Sequence, residues 1–452
     1  MIVIGAGAAG LRAAYELARE NIKVIVLEAR ERIGGRIYTN HHASPANPES
    51  VYPVELGAEF VHGVAPDLLD VARLANLKVV ETIGASWFVD ENQNLALARE
   101  QFDESEQSIW RELANYDESD LSFQDFLTNC CVEAKFEQAR QSVLGYIEGF
   151  HAADAKKAST HGIAKAERAS NQSQGDRAFR VSEGYAQITN WLYEQILAKG
   201  SVVKLNSIVK NVRWQKEFVE VEVREQINNE NKTYAAKRIV VMLPLNILKA
   251  DSSAAAAVCF EPKLDDVKLK ALKKIEMGAA LRVSFCFKND WWTQKLLSLK
   301  PNEIDKLGFL FARDESFPVW WTPQPSAAPV LTAWVGGTRA LQTNENLSIV
   351  DAAIDSLTKI FKVTKDFINR ELETIYFHNW QEDEFSLGAY SYLLVDGIDA
   401  PNELARPIEN TLFFAGEATN TEGHIGTVHS AIATGKRAAN EIVQSLNSKN
   451  TL

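Results

Sequence analysis

The chain has 452 residues, of which 46% are hydrophobic and 24% are charged, and its formal net charge is −12. This length is too great for one compact hydrophobic core, so two or three domains are expected. The acidic balance argues against a nucleic-acid surface, because phosphate binding needs a basic face. It weakly favours cationic partners.

The cysteines and the hydrophobic runs indicate where in the cell the protein is expected. Four cysteines (Cys130, Cys131, Cys259 and Cys286) are too few for a disulfide framework, and the absence of a C-x-x-C pair argues against a metal or dithiol site. No apolar run is long enough to span a bilayer, and the chain begins with strand-like residues rather than a signal peptide. We therefore expect a soluble cytoplasmic protein with no membrane or nucleic-acid partner and no metal.

The N-terminus predicts a strand, a glycine turn, a helix and a second strand. Met1–Ile4 is apolar, Ala8–Arg19 is rich in alanine and leucine, and Lys23–Leu27 is apolar and β-branched. This βαβ unit predicts a parallel sheet that is covered on both faces. The polar stretch Tyr38–Pro53 predicts a surface loop, since it contains Pro, Ser and Asn.

From Asp67 to about Lys165 the character changes to helical. Asp103–Tyr116 and Ala134–Phe150 are charged, with apolar residues at helical spacing, which predicts a mainly helical insertion. Beyond it, strands are predicted at Val202–Val209, Val219–Val223, Arg238–Leu243, Ala280–Phe287, Val330–Val335, Glu373–Phe377 and Thr411–Ala415, and helices at Ile349–Phe361 and Val428–Leu446.

The first turn carries a G-x-G-x-x-G motif in its proper setting. Gly5 makes the tight turn, Gly7 lets the backbone approach a pyrophosphate, and Gly10 lets the helix pack on the strand. The helix that begins near Ala8 offers free N–H groups and the positive end of its dipole. The second strand ends at Glu28, whose carboxylate can accept two ribose hydroxyls. An adenine dinucleotide of the FAD or NAD type is predicted.

The residues after Glu28 favour FAD over NAD. Gly34 and Gly35 permit a backbone excursion, and Arg36 can pair with pyrophosphate oxygens or lie against the cofactor. Arg30 and Arg32 are interpreted as surface cations, and contact with the cofactor is the alternative for Arg30.

This G-x-G-x-x-G…E…R-x-G-G-R string resembles the flavin-containing amine oxidase family, which includes monoamine oxidases, polyamine oxidases, lysine-specific histone demethylases and L-amino-acid oxidases. Other segments that resemble the family follow in the same order: Glu55–Gly63, which is similar to the E-L-G-A-x-W-I-H-G segment of polyamine oxidases; Val241–Leu245; Trp380 with Tyr390; Phe414–Thr419; and Gly426–Ala431.

The resemblance implies an α/β fold, with a Rossmann-like FAD-binding domain in discontinuous segments and an α+β substrate-binding domain. The FAD-binding domain would comprise residues 1–75, 180–262 and 387–452. The substrate-binding domain would comprise 76–179 and 263–386, with the mainly helical insert at 76–179.

The resemblance also implies which residues hold FAD. Val209 matches the position whose backbone meets the adenine. Ala389 stands where the monoamine oxidases carry the cysteine that attaches flavin, so the FAD is expected to be non-covalent. The expected cofactor-binding residues are Gly5, Gly7, Ala8, Gly10, Glu28, Ala29, Gly35, Arg36, Gly57, Ala58, Glu59, Val209, Trp380, Gly416, Glu417, Thr427 and Val428.

Four further residues are the candidates for contact with the reacting amine. Tyr390 matches one wall of an aromatic cage around the amine, whereas Thr427 replaces the tyrosine of the second wall. Arg282 replaces a lysine that relatives bond through water to flavin N5. It is expected to act as a fixed cation or to hold a substrate carboxylate. Glu59 and His62 are candidates for handling the charge or the proton of the amine.

The leading interpretation is an amine oxidase that moves a hydride equivalent from the amine α-carbon to flavin N5. Imine hydrolysis and reoxidation by O2 to H2O2 would follow. A polyamine is favoured as the small-molecule substrate because of the His62 segment, the incomplete cage and the acidic balance. The alternatives are an L-amino-acid oxidase anchored by Arg282, a desaturase-like flavoenzyme acting on a non-amine, and a scaffold that keeps FAD as a structural element. The oligomeric state stays open.

Overall fold

The structure is a computed structural model that describes residues 1–45, 47–98, 104–299, 306–346 and 348–447. In chain order the strands are β1 (Ile2–Ile4), β2 (Ile25–Leu27), β3 (Thr39–Ser44), β4 (Asn47–Glu55), β5 (Val61–His62), β6 (Val79–Glu81), β7 (Ala85–Val89), β8 (Leu95–Leu97), β9 (Ala178–Val181), β10 (Val202–Lys204), β11 (Ser207–Gln215), β12 (Phe218–Glu225), β13 (Asn231–Ala236), β14 (Ile239–Val241), β15 (Cys259–Glu261), β16 (Ile275–Met277), β17 (Ala280–Phe287), β18 (Leu307–Phe311), β19 (Val319–Trp321), β20 (Val330–Gly336), β21 (Leu372–Phe377), β22 (Ser391–Leu393) and β23 (Leu412–Phe414).

The helices are α1 (Ala8–Arg19), α2 (Pro66–Leu74), α3 (Glu104–Ala114), α4 (Phe123–Asn129), α5 (Glu137–Phe150), α6 (Thr160–Gln172), α7 (Ala186–Ala198), α8 (Leu245–Lys249), α9 (Asp266–Leu272), α10 (Trp291–Leu299), α11 (Gly337–Asn346), α12 (Ile349–Phe361), α13 (Lys365–Glu371), α14 (Ala400–Ala405) and α15 (Val428–Asn447). Two short 3-10 helices span Ala134–Phe136 and Glu417–Thr419.

A five-stranded parallel sheet with the order β10-β2-β1-β14-β23 confirms the parallel sheet that the βαβ pattern predicts. Alternate residues of β1 enter different cores, as the two-residue period of a strand requires. Val3 packs in the core that includes α1, α7 and α15. Ile2 and Ile4 pack in the core that includes β11 and β12. One face is therefore covered by helices and the other by the four-stranded sheet β13-β12-β11-β15, in which only the β11–β15 pair is parallel.

A second large sheet has the order β21-β17-β20-β19-β18-β7-β8 and is almost entirely antiparallel. All eight residues of its strand β17 are buried, including Arg282. Helices α10 and α12 pack against it around a core rich in aromatic residues. Helices α3 to α6 form a separate core that includes Phe123, Val143 and Ile147. The chain is thus α/β, with a Rossmann-like domain joined to an α+β part.

Two sequence expectations about local structure are wrong. The predicted loop Tyr38–Pro53 is the β-hairpin of β3 and β4, in which Tyr52 and Val54 are buried. Pro53 is tolerated there because this ribbon has two strands, and each keeps one unpaired edge. The predicted single strand Val202–Val209 is split between β10 and β11, because Asn206 turns the chain at φ +54°.

Among the described residues, no helix is both long enough and apolar enough to cross a membrane.

Candidate active site

A cavity of about 1710 Å³ extends from the carboxyl ends of the parallel strands to the second large sheet and to helices α5 and α6. Ligand pockets are usually between about 300 and 1,000 Å³, so this one has room for a dinucleotide together with a substrate. Every residue that the sequence predicts for contact with the cofactor or the amine lines this cavity, from Gly5 to Val428.

The glycine turn forms a cradle at the N-terminus of α1. Gly5 adopts φ +99°, which favours glycine, and a Cβ atom on Gly10 would lie 1.9 Å from the carbonyl oxygen of Gly5. Cβ atoms on Gly7 and Gly416 would meet no other atom within 4 Å, because both positions face open space in the cavity. The N–H groups of the first turn of α1 therefore face room for a pyrophosphate.

Glu28 lies at the end of β2, where the ribose of an adenine dinucleotide is expected. Its carboxylate accepts backbone hydrogen bonds from Ala6 at 2.7 Å and from Arg30 at 2.9 Å, one to each oxygen. Burial raises the pKa of this carboxyl, and the two backbone bonds oppose that effect. Each oxygen keeps a lone pair for a ribose hydroxyl. Val209, on β11, also lines the cavity.

Glu417 joins four chain segments at the centre of the cavity wall. Its carboxylate accepts hydrogen bonds from Arg36 at 3.0 Å, from the Ser391 hydroxyl at 2.5 Å and from the Gly426 amide at 3.0 Å. Arg36 also donates to the Ala389 carbonyl oxygen at 2.7 Å. These bonds fix the loops before β3, β22 and α15 relative to one another. Glu417 is therefore a structural node as well as a cofactor-binding candidate.

Arg30 and Arg32 are not surface cations, contrary to the sequence interpretation. Arg30 forms a bidentate pair with Asp383, at 2.6 and 2.8 Å, and only 11% of its side chain is exposed. Arg32 lies over the ring of Tyr38 at 4.0 Å. The guanidinium of Arg30 also lies 5.9 Å from the ring of Trp380, whose indole N–H donates to the Leu56 carbonyl oxygen. These contacts hold the tryptophan in the cavity wall.

Two wall residues, Glu59 and Arg282, form a buried charged group together with Arg180, which does not itself line the cavity. Arg180 Nε lies 2.7 Å from one oxygen of Glu59, and Arg282 Nη2 lies 2.5 Å from the other. The indole N–H of Trp321 also donates to Glu59, at 3.0 Å. Arg282 Nη1 donates to the Gly57 carbonyl oxygen at 3.1 Å. We call Arg180, Glu59 and Arg282 the Arg–Glu–Arg triad.

The triad changes the interpretation of Glu59 and Arg282. The two guanidinium groups and the indole outweigh the effect of burial and lower the pKa of Glu59 to about 2. Glu59 is therefore ionised at neutral pH and, with so low a pKa, is a weak base, which favours charge pairing with the arginines over proton transfer. Arg282 already has a carboxylate partner inside the protein. The structure thus removes the main argument for a substrate carboxylate at this position.

Sequence reasoning missed Arg180, which supports the cavity wall through its ion pair with Glu59. It lies on β9, in the strand Ala178–Val181, and its remaining N–H groups donate to the carbonyl oxygens of Gln324 at 2.6 Å and Thr322 at 3.1 Å. A lone arginine inside an apolar strand was an available indication, because a buried guanidinium requires an acidic or carbonyl partner.

His62, Phe150 and Tyr390 form an aromatic wall in the other half of the cavity. The rings of His62 and Phe150 are 5.2 Å apart, edge to face, and the Tyr390 hydroxyl donates to the Phe150 carbonyl oxygen at 2.7 Å. Burial lowers the pKa of His62 to about 4, so its imidazole is neutral at pH 7. Thr427 is not an aromatic wall; its hydroxyl lies at the start of α15 and accepts from the Ser430 amide.

Ala389 lines the cavity at the position where the covalent cysteine of monoamine oxidases is expected. None of the four cysteines, all of which lie in described segments, lines the cavity. Within the described residues there is also no group of three or more His, Cys, Asp or Glu side chains arranged to hold a metal ion.

The glycine cradle, the ribose carboxylate and the size of the cavity fit an adenine dinucleotide such as FAD, and together they define an oxidoreductase that depends on a dinucleotide. Family models support this class. Residues 92–443 match the model for flavin containing amine oxidoreductase, and residues 3–74 match that for an NAD(P)-binding Rossmann-like domain. The chain belongs to the flavin-containing amine oxidase family, and it is an FAD-dependent oxidoreductase that acts on CH–NH or CH–NH2 groups.

Individual relatives and solved structures are consistent with that family. The chain is 28% identical to polyamine oxidase 3 of Oryza sativa subsp. japonica, over 97% of this chain and 88% of that one. It is 27% identical to lysine-specific histone demethylase 1 homolog 3 of Arabidopsis thaliana, over 100% of this chain but only 30% of that one.

Two solved structures share the fold at low sequence identity. A putrescine oxidase bound to putrescine has a TM-score of 0.79 at 20% identity, with 98% of each chain covered. Cyclohexylamine oxidase from Brevibacterium oxydans IH-35A has a TM-score of 0.79 at 19% identity, with 99% of each chain covered.

Proposed function

We propose that this chain oxidises polyamines with a non-covalently bound FAD. The observation that carries the proposal is the pairing of Arg282 with Glu59, which leaves no free guanidinium at the position proposed to anchor an amino acid. A cationic amine does not need such an anchor, whereas an amino-acid substrate does. The similarity to polyamine oxidases over nearly the whole chain supports the same substrate class.

The wall residues would orient the amine and exclude water. The neutral imidazole of His62 has a lone pair that can accept a hydrogen bond from the substrate nitrogen. The rings of Tyr390 and Phe150 provide apolar faces for the carbon chain, and the hydrogen bond between these two residues fixes their relative position. Bound FAD would supply the oxidising power: a hydride equivalent from the carbon beside the nitrogen would pass to the flavin, and O2 would take up the two electrons to give H2O2. Water hydrolyses the imine that is left on the substrate.

The same proposal divides the chain into an FAD-binding domain (1–75, 180–262 and 387–452) and a substrate-binding domain (76–179 and 263–386). The positions of the strands support this division. The parallel sheet uses residues 2–27, 202–204, 239–241 and 412–414, whereas the second large sheet uses residues 85–97 and 280–377. Strands β7 and β8 add a sheet-forming portion to the mainly helical insert.

The test is anaerobic reduction of the purified flavoprotein, followed as the loss of flavin absorbance near ~450 nm that accompanies FAD reduction. We expect spermidine to bleach the flavin rapidly and air to restore the colour with stoichiometric H2O2. L-amino acids should leave the colour unchanged. Bleaching by amino acids alone would replace the proposal with an L-amino-acid oxidase, and no bleaching by either class would refute amine oxidation.

A further inference from the structure

One carboxylate in the substrate half of the cavity is not part of the site described above. Glu167 lies on α6, lines the cavity, and has a side chain that is only 21% exposed. Its Oε1 atom is 3.1 Å from His151 Nε2 and accepts a hydrogen bond from the Tyr146 hydroxyl at 3.3 Å. Both contacts use Oε1. Among the described residues, none donates a hydrogen bond to Oε2 of Glu167.

Aromatic rings surround this carboxylate. Tyr146 and Phe150 are stacked, with centroids 5.1 Å apart and planes inclined by 10°. Trp110 meets Tyr146 edge to face at 5.4 Å. Burial, reinforced by the nearby Glu167 charge, holds the pKa of Tyr146 well above its usual value, so the phenol remains a neutral donor to Glu167. A carboxylate beside aromatic faces is the combination that binds an alkylammonium ion, through its charge and through cation–π attraction.

Arg168 does not form an ion pair with the Glu167 carboxylate. Arg168 follows Glu167 in the chain, but its guanidinium is exposed and donates to the Ala114 carbonyl oxygen at 3.4 Å. The negative charge of Glu167 is therefore held by a hydroxyl and an imidazole rather than by a guanidinium.

The distance between the rings of His62 and Tyr146 limits how long a ligand must be to reach from His62 to Glu167. Phe150 contacts the ring of His62 at 5.2 Å and the ring of Tyr146 at 5.1 Å, so the His62 and Tyr146 rings are at most about 10 Å apart, with Glu167 just beyond. Phe150 is 40% exposed, which leaves its ring open to a carbon chain along this path. An extended chain advances ~1.2 Å per bond, judged from the three-bond peptide repeat. A four-carbon diamine has five such bonds and reaches roughly 6 Å, whereas a triamine with nine bonds between its terminal nitrogens reaches roughly 11 Å, which covers even the upper limit of this ring-to-ring separation.

We propose that Glu167, with Tyr146 and His151, forms a subsite for the distal ammonium group of a triamine or longer polyamine. The carbon chain would lie across Phe150 while the reacting nitrogen is near His62. Glu167 thus determines specificity for long polyamines over diamines and monoamines. This inference rests on the proposed amine oxidation, and it adds the chain length that the site selects.

The test compares amines of increasing length in the holoenzyme. The dissociation constant of each amine is taken from the concentration dependence of anaerobic flavin reduction, for spermidine, 1,4-diaminobutane and butylamine. Glu167→Gln keeps the shape of the side chain and removes its charge. We expect the variant to bind spermidine ten- to a hundredfold more weakly, the range for a lost hydrogen bond to a charged group. Its binding of butylamine and its limiting reduction rate should stay within twofold of the wild type.

The matched control is Glu112→Gln, which removes the same charge from α3 at an exposed position outside the cavity and should change none of these values. Glu167→Asp, which keeps the charge but shortens its reach, should weaken spermidine binding by an intermediate factor. An equal loss for spermidine and butylamine in Glu167→Gln, or no loss for either, would overturn the subsite. Wild-type flavin that no amine reduces would instead refute the proposed function itself, and the subsite with it.

Discussion

Replacing Glu59 with glutamine tests how the cavity wall is held together. The substitution keeps the size of the side chain but removes the charge that two buried guanidinium groups share. Arg180 and Arg282 would then remain 10% and 6% exposed, respectively, and without a carboxylate partner. Removing one member of a buried ion pair is strongly destabilising, because it leaves an uncompensated buried charge.

The pKa of Glu59 sets the size of the effect. It falls from an ordinary value of 4.5 to about 2, and each pKa unit corresponds to roughly 1.4 kcal/mol, so the ionised carboxylate stabilises the fold by about 3 kcal/mol at pH 7. Because the pKa in the folded state is the lower one, this stability is fully present above pH 4.5. It is lost as the pH falls from 4.5 towards 2. At pH 3.5 about 2 kcal/mol should remain.

The assay is urea unfolding of wild type and Glu59→Gln at a fixed, saturating FAD concentration, since bound FAD itself stabilises the native state. We expect the free energy of unfolding to be about 3 kcal/mol lower for the variant at pH 7, with the difference shrinking in acid. Glu81→Gln is the control. It breaks the exposed pair with Arg177, where the two side chains are 44% and 42% exposed, and should cause no measurable change.

A variant of Glu59 as stable as the wild type at pH 7 would show that the desolvation of the triad cancels its attraction. A difference that persists unchanged at pH 3.5 would show that packing, and not charge, causes the loss. Either result would refute the argument from the lowered pKa.

Three further outcomes follow from the cavity. Gly10→Ala should lower the FAD content, measured as the ratio of flavin to protein absorbance, because its Cβ atom would lie 1.9 Å from the Gly5 carbonyl oxygen. The control is Gly145→Ala in α5, where a Cβ atom has open space and FAD should be retained. Equal FAD contents in the two variants would contradict the cradle. Burial lowers the pKa of His62 to about 4, so between pH 6.5 and 4 only the unfolded chain protonates this imidazole, and the free energy of unfolding falls as the pH falls. His62→Gln should make this fall shallower by up to about 1.4 kcal/mol per pH unit. A pH curve parallel to that of the wild type would refute the buried neutral imidazole. Acid precipitation should release all of the flavin into the supernatant, since Ala389 offers no thiol, and yellow pellets would show a covalent bond.

Local sequence was sufficient for the nucleotide end of the site. The strand, the glycine turn and helix α1 follow one another within residues 2–19, and Glu28 ends the next strand. Each of these features depends on backbone conformation and on neighbours in the chain, which is why apolar periodicity and glycine spacing predict them. The remaining candidate site residues came from the resemblance to the family, whose motifs follow in the same order in this chain. All of these residues line the cavity.

Regular strands and helices were predicted where periodicity is strong and missed where it is weak. The bounds of β17 and α12 agree with the prediction residue for residue. The hairpin β3–β4 was predicted as a loop because its polar residues, Pro and Asn mask an alternation that becomes meaningful only when Tyr52 and Val54 pack against Cys286 and Val330. Tertiary packing, rather than intrinsic preference, decides such strands.

The chemistry of the charged residues was decided by the tertiary structure alone. Glu59 is separated from Arg180 by 121 residues and from Arg282 by 223, so no local pattern connects them. The sequence, through its motifs and its resemblance to the family, was sufficient to determine that the chain binds FAD and belongs to the amine oxidases. Only the fold decided that Glu59 is an ionised partner of two arginines and that Arg282 is already neutralised. The physical reason is that the protonation state of a buried carboxyl depends on the charges packed around it, and those charges come from distant parts of the chain.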